Sequence, residues 1–114
     1  MNQSPEPHFD QIFQALADPH RRRLVEQLAK APASVKELAA PAQIGLPAVL
    51  KHLRVLEEGG IVVSHKVGRV RTYRMEQRAF DAISRWIEQR QAEMEAAFDR
   101  LAELMIEIPE ERDS

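Results

Sequence analysis

The sequence predicts an α+β fold, mostly helical, with about five helices and a two-stranded β-hairpin. Three observations carry that reading. Residues 44–60 form one helical stretch, with Pro47 near its start and Gly59-Gly60 at its end. Residues 61–75 hold two runs rich in β-branched residues around Gly68-Arg69. Residues 78–108 carry a long stripe of apolar positions stepping by threes and fours. At 114 residues, 44% of them hydrophobic, the chain has room for one domain and one core. The expected organisation is a flexible arm over residues 1–7, a single domain over 8–108 and a disordered charged tail over 109–114.

In the first expected helix, residues 8–17, Phe9, Ile12, Phe13 and Leu16 share one face. Asp18-Pro19 then starts a second helix, with aspartate as N-cap and proline in the first turn, where its missing N–H costs nothing. It runs to about Lys30, with Leu24, Val25 and Leu28 inward. Arg21, Arg22 and Arg23 sit at the end of this helix where its dipole disfavours cations. Three adjacent arginines more often make a solvated first turn than a binding site, but this placement suggests a partner for at least one of them, either a carboxylate or a DNA phosphate. Residues 31–33, Ala-Pro-Ala, break the chain. Ser34 and Glu37 have capping-box spacing, and the short third helix they open places Val35 and Leu38 inward and ends at Pro41.

The fourth helix buries Val49, Leu53 and Leu56 and turns Pro47, Leu50, Lys51, Arg54 and Glu58 outward. A short helix, a tight connection and a second helix with such a face make a helix-turn-helix candidate. His52, between the two faces, reads as a half-buried structural donor. Glycine first in a two-residue loop suits the hairpin turn at Gly68-Arg69. Lys66, Arg69, Arg71 and Arg74 make that hairpin a cationic wing beside the helix pair.

The formal net charge is −2 and the isoelectric point near 6.1, but the distribution is uneven. Residues 51–74 hold six cations and two carboxylates, a net +4, whereas residues 76–114 hold five cations and eleven carboxylates, a net −6. A local basic patch is the pattern that points to a polyanion. With no cysteine in the sequence, disulfides, thiolate metal sites and thiol redox sensing are excluded. No apolar stretch approaches the roughly 18 residues of a membrane span. No signal peptide is visible, so a cytoplasmic protein is expected. Ser/His/Asp, phosphate-loop and paired-carboxylate motifs are lacking, and neither an enzyme nor a cofactor is expected.

Two stretches carry a resemblance. Pro47-Ala-Val-Leu-Lys-His-Leu-Arg-Val-Leu-Glu-Glu-Gly-Gly-Ile61, followed by Gly68-Arg-Val-Arg-Thr-Tyr73, resembles the bacterial ArsR-type winged helix-turn-helix repressors. The upstream Phe13-Gln-Ala-Leu-Ala-Asp-Pro-His-Arg-Arg-Arg-Leu24 is similar to that family's opening. The likeness covers roughly residues 9–105. It implies a homodimeric repressor of double-stranded DNA, joined through its first and last helices. Where the family often has Ser-Gln, this chain has Gly45-Leu46, and Leu50 replaces a frequent serine. Apolar contact with thymine methyl groups is then the expected use of Leu46 and Leu50. The expected DNA-binding set is Leu46, Pro47, Leu50, Lys51, Arg54, Lys66, Arg69 and Arg71. Metal-sensing relatives use cysteines, or Asp and His on the last helix. This chain has no cysteine, and no histidine after His65, so no metal site of that type is expected.

The last stripe comprises Phe80, Ile83, Ile87, Met94, Phe98, Leu101, Met105 and Ile108, interrupted at Arg90-Gln91. A helix over residues 78–108 would be roughly 46 Å long, more than a domain of this size can cover. The surplus apolar face calls for a partner helix or for a bend back onto the first helix. A twofold dimer is the preferred reading, with Phe9, Ile12, Phe13, Leu16, Met94, Phe98, Leu101 and Met105 at the seam. The rival reading is a winged helix that serves as a protein-binding scaffold and binds no duplex specifically.

Overall fold

A computed structural model describes residues 8–107. The expected arm at residues 1–7 and tail at 109–114 lie outside the described residues. The element order is α1 (Phe9–Leu16), α2 (Pro19–Lys30), β1 (Ala33–Ser34), α3 (Val35–Ala39), α4 (Leu46–Glu58), β2 (Val62–Val67), β3 (Val70–Met75) and α5 (Gln77–Glu107). The chain divides into two units, one up to Ala82 and the other from Ile83 on.

In the first unit, α1 packs against α2 and α4, and α3 against α4 and the sheet. Side chains at helical spacing fill the centre: Leu24 and Leu28 of α2, Leu38 of α3, and Val49, Leu53 and Leu56 of α4, joined by Ile61 and Val62. Ile12, expected at the dimer seam, belongs to this core and is 1% exposed. The α1 stripe is split: Ile12 and Ala15 face inward, while Phe13 is 42% exposed on the other side.

Local chemistry sets each boundary. The Asp18 carboxylate accepts from the backbone N–H of His20 at 2.8 Å and of Arg21 at 3.2 Å, and Pro19 occupies the first turn. Burial acts to raise the Asp18 pKa, but the two N–H bonds, together with the charges of His52 and Arg21, outweigh it and hold the carboxyl below its ordinary value of 3.8. The Ser34 capping box is complete: Ser34 N–H donates to Glu37 Oε1 at 2.8 Å, and Glu37 N–H to Ser34 Oγ at 3.2 Å. At the end of α4 the two glycines do different jobs. Gly60 takes a left-handed φ of +77°, which ends the helix. Gly59 keeps a negative φ and lies under α1, where a β-carbon would sit 3.1 Å from Gln11 O and 3.2 Å from Ala15 Cβ.

The sheet has three strands in the order β1-β3-β2, all antiparallel. The hairpin of β2 and β3 is the expected one. Its closing pair is Val67 and Val70, and the left-handed φ of +63° at Gly68 gives the glycine-first turn. The third strand departs from the expected two. Ala33, read as part of a break, and Ser34, read as the cap of the third helix, pair with Tyr73 and Thr72 of β3. This pins the start of the helix-turn-helix to the base of the wing.

In the second unit, α5 continues as regular helix to Glu107. Its exposed apolar residues include Met94, Phe98, Leu101, Leu104 and Met105. Trp86, which the sequence left between core and seam, is 41% exposed. The interruption at Arg90 has a local explanation: its guanidinium lies 5.0 Å from the Trp86 ring centroid and pairs with both carboxylate oxygens of Glu93, at 3.0 and 3.1 Å. Among the described residues no helix is long and apolar enough to cross a membrane.

Candidate nucleic-acid interface

The outer face of α4 follows from its burial pattern. With Val49, Leu53 and Leu56 held in the core, positions 46, 47, 50, 51 and 54 turn outward together. Leu46 is 44% and Leu50 42% exposed. Pro47, Lys51 and Arg54 are exposed beside them. Large apolar groups left open beside two cations form a surface able to meet both phosphates and base methyl groups.

The wing register sorts its residues by face. Directly opposed residues share a face, so Ser64, Tyr73, Lys66 and Arg71 lie on one side, and His65, Thr72, Val67 and Val70 on the other. Lys66 and Arg71 sit directly opposite each other. Two cations at such a site repel unless an anion lies near. Arg69 occupies the tip. The expected cations thus divide between the tip and one face, whereas Arg74 falls on the other face and bonds Met75 O at 3.5 Å.

One connection was not visible in the sequence. Arg71 Nη1 donates to Ser64 Oγ at 2.9 Å, and Ser64 Oγ donates to Glu57 Oε2 at 2.7 Å. Glu57 lies in the last turn of α4, so this relay ties the wing to the helix. No spacing rule links positions 57, 64 and 71. Only the strand register and the end of α4 bring them together. Arg71, expected in the DNA-binding set, spends one of its five N–H donors here. Among the described residues Lys51, Arg54, Lys66 and Arg69 make no hydrogen bond or ion pair within the chain. The buried Tyr73 phenol is pushed above its ordinary pKa by burial, then by Glu57, with Arg71 opposing.

Behind the face lies a support that corrects two expectations. The partners of Arg21 and Arg22 within the chain are backbone carbonyls, not carboxylates. Arg21 Nε donates to Ala15 O at 2.7 Å and Nη2 to Gln14 O at 3.2 Å, while Arg22 Nη1 donates to Leu16 O at 2.9 Å. These carbonyls lie at the end of α1, where cations are favoured, and Gln14 O also accepts the Ala17 N–H at 3.1 Å. With only Ala17 and Asp18 between the helices, the first turn of α2 falls beside them. The second correction concerns His52, expected as a donor. Arg21 Nη1 lies 3.3 Å from His52 Nδ1, and because a guanidinium only donates, His52 accepts. Its ring is neutral with the proton on Nε2, and it stacks on His20 at 5.6 Å between centroids.

Burial lowers the His52 pKa below its ordinary 6.5. Asp18 acts to raise it, while Arg21, His20 and Lys51 lower it further. The folded state therefore binds fewer protons at this site than the unfolded state. The stability this provides is complete above 6.5 and is lost as pH falls from there towards the lowered folded value. His52→Gln supplies an acceptor that does not titrate. Urea unfolding at about pH 5.5 and about pH 7.5 should show the wild type losing more stability on acidification than His52→Gln, and equal losses would exclude this role. The Asp18 contribution has the same sign, because its carboxyl is also depressed, but it is lost only at lower pH, as the carboxyl protonates below 3.8. Among the described residues no three His, Asp or Glu side chains come together as metal ligands would.

This geometry has close counterparts. A helix-turn-helix domain family matches residues 16–65. The chain is 44% identical to an ArsR family transcriptional regulator of known crystal structure, over 76% of this chain and 96% of that one, with a TM-score of 0.72. The chain belongs to the ArsR family of transcriptional regulators. Another relative is the HTH-type transcriptional regulator Rv2034 of Mycobacterium tuberculosis, 42% identical over 67 residues. That match covers 59% of this chain and 63% of Rv2034, so the chain spans less than two thirds of this curated relative. At the level of fold alone, the chain resembles Mb0332 of Mycobacterium bovis, described as a homodimeric winged helix-turn-helix DNA-binding domain. Identity is 22%, the TM-score 0.59, and the match covers 81% of this chain and 82% of that one. With the fold of α1 to α5 and its hairpin, this ArsR family chain is a winged helix-turn-helix protein.

Proposed function

We propose that this ArsR family member binds double-stranded DNA as a homodimer at an inverted-repeat operator and represses transcription in the cytoplasm, without enzymatic chemistry. The observation that carries the reading is the set of cations on α4 and the wing, Lys51, Arg54, Lys66 and Arg69, that make no ion pair among the described residues and lie with exposed Leu46 and Leu50 on these two elements. In this reading α4 enters the major groove. Leu46, Pro47 and Leu50 meet base edges, and Lys51 and Arg54 reach bases or adjoining phosphates. Lys66, Arg69 and Arg71 follow the backbone, and the Arg71–Ser64–Glu57 relay holds wing and helix at one spacing.

The homodimer reading rests on exposed apolar surface in each unit: Phe13 with the half-buried Phe9 and Leu16 in the first, and Met94, Phe98, Leu101 and Met105 in the second. A protein in water rarely leaves such a stripe open, and Mb0332 is described as homodimeric. A twofold dimer presents two α4 helices to two half-sites about one helical turn apart. Selection of bound duplexes from a random pool tests the whole reading. It should enrich an inverted repeat with half-sites spaced by about 10 base pairs. An unenriched pool would contradict it and favour a protein-binding scaffold.

A further inference from the structure

A cavity of about 280 Å³ lies between α2 and the connection from α3 to α4. The volume is near the lower end of the range for small-molecule sites, roughly 300–1,000 Å³. The buried side chains of Leu24 and Val49, together with Ile44, form its apolar lining, and His20, Arg23, Gln27 and Gln43 bring polar groups to it. Arg23 is distinct among the three consecutive arginines. Arg21 and Arg22 are committed to the carbonyls of α1, whereas Arg23 makes no hydrogen bond or ion pair among the described residues. The cavity thus combines one available guanidinium, amide groups and an apolar lining. No carboxylate lines it to compete for the arginine.

We propose that this cavity binds a small organic monocarboxylate, with the carboxylate paired to Arg23 and the apolar end against Leu24, Ile44 and Val49. A guanidinium matches a carboxylate with two parallel N–H bonds, and the amides of Gln27 and Gln43 complete the polar rim. The walls give the site a consequence. One is α2, the other is the connection at residues 41–44, and Val49 belongs to α4 itself. An acid seated there braces the connection against α2 and changes how α4 is held. That coupling rests on the DNA-binding reading, whereas the site itself does not.

The two are tested separately. Benzoate is the probe, and its neutral isostere benzamide the control, each titrated into the ¹⁵N-labelled 114-residue chain. Benzoate should give saturable shifts of the Gln27, Gln43 and Ile44 amides. Its affinity should fall about tenfold in Arg23→Gln and for benzamide, as for a lost charge-assisted bond, but stay unchanged in Arg22→Gln. Arg23 is exposed, so its replacement leaves the core intact. Shifts that never saturate, equal affinity for benzamide, or equal loss in Arg22→Gln would overturn the site. So would a result in which benzoate fails to bind and Arg23→Gln weakens duplex binding, because Arg23 would then be a phosphate contact. In a second arm, benzoate should change operator affinity in the wild type and not in Arg23→Gln. An unmoved operator affinity, with the spectral shifts present, would overturn the coupling and leave the site standing.

Discussion

Replacing Lys51 and Arg54 together with alanine should cost about 2–5 kcal/mol of operator binding, roughly 30- to 5,000-fold in affinity. Both side chains project from the outer face of α4, and neither has a hydrogen-bonding or ionic partner among the described residues. Their removal therefore strips the proposed contact surface while the core of Val49, Leu53 and Leu56 stays packed. Thermal stability should change little, since exposed substitutions away from caps and partners usually fall within about 0.5 kcal/mol. The slope of log affinity against log salt should become shallower by up to about two units, one per phosphate charge lost. Fluorescence anisotropy on an operator duplex, with circular dichroism as the control for folding, reads both quantities. A change of less than about threefold would place the DNA surface elsewhere.

The second large effect concerns assembly. Phe98→Glu with Leu101→Glu puts two carboxylates where side chains 64% and 52% exposed now stand. The single chain loses no buried contact there, but an interface built on these residues would bury two unpaired charges. Truncating a buried interface anchor costs about 2–4 kcal/mol, and adding charge costs more. At micromolar concentration sedimentation should report a dimer for the wild type and the 13.0 kDa monomer for the variant. Operator affinity should fall by about 10²–10⁴, because the second half-site no longer adds to the first. A variant that stays dimeric would remove the far half of α5 from the interface.

Strong local signals account for what was legible in the sequence. Asp18-Pro19, Ser34 with Glu37, Pro47 and Gly59-Gly60 are boundary chemistries that act within one turn, and the helices begin and end where they say. The Gly68 turn fixed the hairpin register, and with it which cations share a face. The missed features depend on contacts between elements. Strand β1 is two residues long and pairs through backbone groups, so it leaves no alternation to read. The apolar stripe of α1 faces in two directions, and a helical period alone cannot say that Ile12 turns to the core while Phe13 turns away. Three adjacent arginines look alike in sequence. Only the placement of α1 beside the first turn of α2 gives Arg21 and Arg22 their carbonyls and leaves Arg23 at the cavity. In the candidate site, the exposure of Leu46, Leu50, Lys51 and Arg54 followed from helical spacing. The relay from Arg71 through Ser64 to Glu57 did not, because it joins a strand pair to a helix end.

The division of labour between helix and wing is the central claim, and one measurement addresses it most directly. An operator duplex and a scrambled duplex are titrated at several salt concentrations with the wild type, Leu50→Ala and Arg69→Ala. Leu50→Ala should leave the salt slope unchanged and weaken the operator by about 1 kcal/mol more than the scrambled duplex, as expected for a lost thymine methyl contact. Arg69→Ala should weaken both duplexes by similar factors and make the slope shallower by about one unit. If Leu50→Ala weakens both duplexes equally, or Arg69→Ala affects the operator alone, α4 is not the element that reads sequence in the way its exposed face implies.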